Sequence, residues 1–248
     1  MINEFSNKNN YGFKTNENEE WFEVHSGAVT NTNPGSMVHV TIDTTPICEN
    51  MTDAEFRTMI RRLLPWCVSY LDRRIDEITR FDAIARKRME FWFGRSDEGT
   101  HQHLMNGFQK VRGVVSGLAA GNFIRSMSGL DKSLGCMPHL KNLDQEAAHV
   151  CAPNTAMRYI GIGKLFCNGL HDQNRYGDSR VSAIIHECTH FADTFASSDP
   201  MYSISTPLAM WGRNNSDLAL NNADSLAGYV VYAEPRFETN DKSDNTYP

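Results

Sequence analysis

Apolar residues recur at helical spacing over most of this chain, and short segments of strictly alternating residues are few. A capping box at residues 52–55 predicts a helix that runs to residue 64. Pro65 is expected to interrupt this helix, because proline lacks the N–H that a helix interior requires. Helical spacing then resumes over 66–93, with a break near Arg80. Further helices are predicted at 104–120, at 178 or 179 to 196, and at 217–233.

Strand signals are short and scattered. Alternation predicts strands at 38–42 and 157–165, and residues 121–154 are expected to form loops with short strands. The predicted fold class is therefore mainly α with a small β component, that is, α+β. The predicted boundaries are an irregular or flexible N-terminal arm at 1–36, one domain at 37–235 and a polar C-terminal tail at 236–248.

The charge and the hydropathy pattern exclude several classes of partner. A net charge of −6 argues against binding to nucleic acid or to an anionic membrane. No apolar stretch approaches the roughly 20 residues that a membrane span needs. The start of the chain also lacks the apolar core of a Sec signal peptide. We therefore expect secretion or delivery by a route that needs no signal peptide, or otherwise a cytoplasmic location.

The cysteines leave the redox compartment open. None of the six cysteines forms a C-x-x-C pair, which disfavours a zinc ribbon or a redox motif. A bridge such as Cys136–Cys151 would require export to an oxidising compartment, and buried free thiols are the alternative. Cys188 is expected to lie in the core.

The strongest chemical signal is His186-Glu187-Cys188-Thr189-His190, an H-E-x-x-H motif within a predicted helix. Residues four apart share a helix face, so both histidines can bind one Zn²⁺. Glu187 is displaced by about 100° and lies at the rim of such a site. Zinc lowers the pKa of a water towards about 7, and Glu187 can take its proton as general base.

A catalytic zinc needs a third protein ligand. Asp193 would lie about 10 Å further along the same helix than His186, so we expect it to support a ligand histidine or to be solvated. Asp199 precedes Pro200, which favours a turn that returns the carboxylate to the metal. Glu234 is the distant alternative, and Asp199 is preferred.

A second histidine pair, His101 and His103, is expected to lie in a solvated loop. Spacing of i,i+2 is poor for chelating one ion, so no metal site is predicted there.

These residues resemble the aspzincins, the deuterolysin and peptidyl-Lys metalloendopeptidase family. In that family H-E-x-x-H is followed by a G-T-x-D-x-x-Y-G-type motif, and residues 196–203 keep its aspartate and tyrosine. The resemblance implies a zincin-like metallopeptidase domain in which Asp199 is the third zinc ligand. It also implies that Tyr202 stabilises the tetrahedral intermediate, which suits a phenol donor.

Two further segments are similar to this family: Phe91-Trp92-Phe93-Gly94, and Asn222-Ala223-Asp224. The resemblance implies that Asp224 binds the substrate lysine after the cleaved bond. Ala227 stands where the family's glutamate would be. The resemblance therefore does not extend to lysine specificity.

The sequence predicts a zinc-dependent endopeptidase acting on a protein or peptide substrate. A compact catalytic domain without a visible signal also suggests a secreted toxin or effector protease, with a cognate immunity or inhibitor protein as a partner. Two alternatives remain: a non-catalytic, zinc-stabilised binding protein, and a zinc amidase or peptidase that acts on cell-wall peptides.

Overall fold

Helices make up most of the described part of this computed structural model, residues 44–136 and 143–233. The compact unit containing these residues begins at Thr44. The predicted arm, the strand at 38–42 and the tail lie outside the described residues. The helices are α1 Asp53–Arg80, α2 Ala83–Phe93, α3 Glu98–Gly117, α4 Gly129–Ser133, α5 Lys164–Asn168, α6 Arg180–His190, α7 Thr206–Asn214, α8 Ser216–Ala219 and α9 Ala223–Val231, with a 3₁₀ turn at Ala120–Asn122.

The expected interruption at Pro65 is wrong. Helix α1 begins at the predicted capping box of Thr52 and Glu55 and continues past Pro65 to Arg80. Pro65 lies on the exposed side of the helix, and the buried face continues past it from Leu63 and Leu64 to Cys67. This packing, which extends against α3 and α6, outweighs the roughly 3 kcal/mol that an internal proline costs a helix.

The break predicted near Arg80 is confirmed. Phe81 adopts a left-handed conformation with φ of 46°, and the Asp82 carboxylate accepts hydrogen bonds from the first turn of α2. Helix α3 begins earlier than predicted because Asp97 is its N-cap, and the Asp97 carboxylate accepts from the backbone N–H of Thr100. His101 and His103 therefore lie on a helix and not in a loop. Their ring nitrogens contact backbone carbonyls, those of Ile78 and Leu220 respectively.

A three-stranded sheet has the order β1-β3-β2, formed by β1 Phe123–Arg125, β3 Ile160–Ile162 and β2 Ala148–Val150. β1 pairs parallel to β3, and β2 pairs antiparallel to it. Within the described residues, the mainly helical class with a small β component is confirmed. β3 is shorter than the predicted strand at 157–165, because α5 begins at Lys164.

The site helix and the last predicted helix are also shorter than expected. α6 ends at His190 because the chain turns at Phe191, where the Thr194 hydroxyl donates to the final carbonyls of the helix. The predicted helix at 217–233 is divided into α8 and α9. Helix α7 was not predicted, although Ser205 caps it and Pro207 lies in its first turn.

Helix α6 is central in the core. It packs against α1, α3 and α9, and Cys188 is fully buried as expected. The glycine of the W-F-G segment, Gly94, has φ of 69°, and a Cβ there would approach the Arg213 carbonyl oxygen to 2.4 Å. No side chain could replace it without a rearrangement.

Disulfides join Cys48 to Cys167 and Cys136 to Cys151, whereas Cys67 and Cys188 are buried free thiols. The first bridge ties the segment before α1 to α5. The second ties the segment after α4 to the end of β2. None of the helices in the described residues has the length and hydropathy of a membrane span.

Candidate active site

Helix α6 brings the two motif histidines together as predicted. Ser179 caps the helix, and buried Ile184, Ile185 and Cys188 fix its inner face in the core. His186 and His190 then lie one turn apart, with 3.1 Å between their Nε2 atoms. Two imidazoles thus converge on a single point at the C-terminal end of the helix.

Hydrogen bonds on the far side of each ring determine which nitrogen faces this point. His186 Nδ1 donates to Asp224 Oδ1 at 2.6 Å, and His190 Nδ1 donates to the carbonyl oxygen of Ser197 at 2.9 Å. Both partners are acceptors, so each neutral imidazole carries its proton on Nδ1. In the neutral rings each Nε2 therefore presents a lone pair, which is the form that binds metal.

Asp199 completes the cluster from outside the helix. Its Oδ1 lies 3.3 Å from His186 Nε2, and its Oδ2 lies 3.2 Å from His190 Nε2. Oδ1 is buried and has no hydrogen-bond partner. Within residues 44–136 and 143–233, these three side chains are the one group whose ligand atoms all lie within 4.8 Å of one another.

The donor set fits a divalent metal such as Zn²⁺. Lone pairs and carboxylate oxygens at these separations repel unless positive charge lies between them. Burial alone would lower the pKa of His186, but the charge and hydrogen bond of Asp224 and the charges of Glu187 and Asp199 raise it to about 10. The cluster thus attracts cations strongly, and two histidines with one carboxylate match zinc's preferred ligands.

Glu187 faces the same cluster from the helix rim. Its side chain is buried, and Oε1 lies 3.9 Å from His186 Nε2. Burial raises the pKa of Glu187, although the neighbouring histidines oppose the rise. A raised pKa suits a group that must accept and then release a proton near neutrality.

Tyr202 is on the solvent side and is 64% exposed. Burial and the charge of the Asp199 carboxylate both raise the pKa of the phenol. Burial alone would raise the pKa of Asp199. The hydrogen bond to His190 and the charges of the two histidines outweigh burial, so the pKa is lowered. The phenol thus stays protonated beside a charged carboxylate and can donate into the open side of the cluster.

Asp193 does not support a ligand histidine. It pairs with Arg158 at 3.1 Å, and its side chain is 49% exposed. The supporting contacts come from Asp224 and the Ser197 carbonyl, which sequence reasoning did not find. Glu234 lies outside the described residues.

Asp224 is nearly buried, and both of its oxygens have partners. Besides accepting from His186, it accepts from the backbone N–H of Ser203 at 2.7 Å. Ala227 is fully buried in the core. The predicted lysine-binding role of Asp224 stays a prediction.

The segment that carries Asp199 and Tyr202, residues 196–203, is here called the active-site loop. It pairs with the start of α9 through a parallel bridge between Ser198 and Asn222. Ala196 and Ser203 have φ of 49° and 73°, at the positions where the family motif has glycine. The loop thus keeps glycine-type conformations without glycine.

Comparison with known proteins identifies a matching family and similar solved structures. The sequence profile of the family described as lysine-specific metallo-endopeptidase, the aspzincins, matches residues 80–233. Among solved structures, a zinc peptidase from Grifola frondosa superposes with a TM-score of 0.55 at 14% identity, over 71% of this chain and 94% of that one. At this identity the likeness shows the fold. No curated protein matches the sequence.

Proposed function

Because this chain belongs to the lysine-specific metallo-endopeptidase family, the aspzincins, we propose specific roles for the residues of its site. Membership makes the chain a zinc metalloendopeptidase, a hydrolase that acts on peptide bonds. His186, His190 and Asp199 bind the zinc in this proposal. The observation that carries it is the convergence of two lone-pair nitrogens on the Asp199 carboxylate, whose buried Oδ1 has no hydrogen-bond partner.

The other residues divide the chemistry between them. Bound zinc supplies Lewis acidity, which polarises the scissile carbonyl and acidifies the attacking water. Glu187 takes the proton of that water and passes it to the leaving amine, since its carboxylate is buried and its Oε1 lies 3.9 Å from His186 Nε2. Tyr202 donates a hydrogen bond to the oxyanion that develops in the transition state.

Asp224 is assigned to His186 rather than to a substrate lysine. Its 2.6 Å bond fixes the tautomer and the orientation of the imidazole, and its second oxygen supports the active-site loop. With both oxygens engaged and alanine at position 227, a strict lysine preference is not expected. Mass spectrometry of digested casein reports the residue beside each cleaved bond, and cleavage only before lysine would contradict this assignment.

Glu187→Ala tests the proposed role of the base. Zinc content should be unchanged because Glu187 is not a ligand, while kcat should fall about 100- to 10,000-fold. Glu98→Ala, at an exposed position on α3, serves as the matched control and should keep full activity. Activity of Glu187→Ala above a few per cent of wild type would remove this residue from the mechanism.

The membership disfavours a non-catalytic binding protein. A zinc amidase or peptidase acting on cell-wall peptides remains the alternative for the substrate. Digestion of casein and of peptidoglycan side by side distinguishes the two.

Delivery as a toxin or effector, with an immunity or inhibitor protein as partner, stays a proposal. The two disulfides support an oxidising destination. Toxicity on expression that disappears in Glu187→Ala would favour this proposal. Equal growth with the wild-type and Glu187→Ala proteins would contradict it.

A further inference from the structure

Asn222 occupies the N-cap of α9, but its side chain does not cap that helix. Asparagine is among the best N-cap residues because its side-chain oxygen accepts from the N–H groups of the first turn. Here Oδ1 accepts instead from the backbone N–H of Met201 at 3.2 Å, and Nδ2 donates to the Ser225 hydroxyl at 2.9 Å. The side chain is fully buried. Helix α9 thus forgoes its cap in favour of a bond to the active-site loop.

The bond reaches the loop next to Tyr202. The backbone N–H groups on either side of the tyrosine are those of Met201 and Ser203. Pro200, one residue earlier, has no N–H to donate. Met201 donates to Asn222, and Ser203 donates to Asp224. The backbone is therefore tied to α9 directly before and directly after Tyr202.

Asp199 is anchored in a different way. The adjacent Ser198 donates its N–H to the Asn221 carbonyl at 2.9 Å and accepts from the Ala223 N–H at 3.0 Å. These are backbone bonds that no side chain at position 222 supplies. Loss of the Asn222 side chain should thus loosen Tyr202 while leaving the metal ligand in place.

We infer that Asn222 is a positioning residue for Tyr202. It acts through the Met201 N–H and places the phenol where the oxyanion develops. The exact position of the phenol matters because a displaced donor loses most of its effect on the transition state. The inference rests on the role proposed above for Tyr202.

A double-mutant cycle tests it. Tyr202→Phe should lower kcat about a hundredfold, as loss of one oxyanion donor does. Asn222→Ala should lower kcat about tenfold, with KM and zinc affinity each within about threefold of wild type. In the Tyr202→Phe background, Asn222→Ala should lower kcat by no more than about threefold further, since the group that it positions is already gone.

Controls separate positioning from stability. Asn214→Ala, an exposed asparagine on α7, should leave kcat unchanged. Asn222→Asp keeps an acceptor for Met201 and should recover most of the lost kcat. If Asn222→Ala does not fold, Asn222→Ser replaces it, because serine caps helices well but is too short to keep the bond to Met201.

The outcomes are distinguishable. The same tenfold loss in both backgrounds, or a loss explained by released zinc, would overturn the inference. A loss in Tyr202→Phe with none in Asn222→Ala would also overturn it, without affecting the proposed function. Full kcat in Tyr202→Phe contradicts the proposed role of Tyr202 and the inference with it, but leaves the zinc ligands and Glu187 untouched.

Discussion

The two halves of the site are built in different ways. His186, Glu187 and His190 lie on α6, where intrahelical bonds and the buried inner face of the helix determine their positions. Asp199 and Tyr202 lie on the active-site loop, which has left-handed residues at both ends and is tied to α9. The positions of the helical residues relative to one another thus follow from the geometry of α6. The loop half depends on contacts with residues more than 20 positions away along the chain.

This difference identifies α9 as the common support. Asp224 contacts both halves, through His186 on the helix and through the Ser203 N–H on the loop. A structural change in α9 should therefore alter ligands from both halves together. A change confined to the loop should leave the α6 residues in place.

Asp199→Asn should have the largest effect. It removes the carboxylate that faces both imidazoles, and zinc affinity should fall by more than the roughly hundredfold that loss of an outer hydrogen-bond partner can cause. Competition with a chromophoric chelator measures the affinity, and circular dichroism should show unchanged helix content because α6 does not depend on the loop. Wild-type zinc affinity in this variant would place the third ligand elsewhere.

Asp224→Asn should have an intermediate effect that spans both halves. The asparagine amide lacks the negative charge with which Asp224 orients the His186 ring. Zinc affinity should therefore fall about 10- to 100-fold. Asp193→Asn is the matched control, since this carboxylate pairs with Arg158 away from the cluster. If both variants bind zinc as wild type does, α9 is not the support described here.

Ser203→Gly should have the smallest effect and the opposite sign. A left-handed serine costs roughly 1 kcal/mol, which glycine avoids, so the melting temperature should rise by about 2–4 °C. Ala196→Gly should act similarly at the other end of the loop. Gly94→Ala is the reverse control, because a Cβ there meets the Arg213 carbonyl. A lower melting temperature for both loop variants would contradict the assignment of strain.

The helical half could be predicted from the sequence because i,i+4 spacing encodes its geometry. For the loop half, the rise of the helix excluded Asp193 as a zinc ligand, and the turn expected at Pro200 favoured Asp199 over Glu234. The family resemblance supplied the role of Tyr202. The contacts of Asp224 and Asn222 with the loop could not be predicted, because no local pattern encodes a side chain that bonds a distant backbone. The error at Pro65 has the same origin, since packing along α1 outweighed a local penalty.

The Cys48–Cys167 bridge has a consequence for the survival of the enzyme itself. It closes a segment with a sequence separation of 119 residues, and a closure of this size stabilises a folded chain by about 4 kcal/mol. That corresponds to roughly a thousandfold fewer unfolded molecules. Endopeptidases cleave unfolded chains readily. Folded copies of this protein can therefore cleave its unfolded copies. We therefore expect the covalent link to limit autolysis, and adding a reductant should shorten the lifetime of the protein.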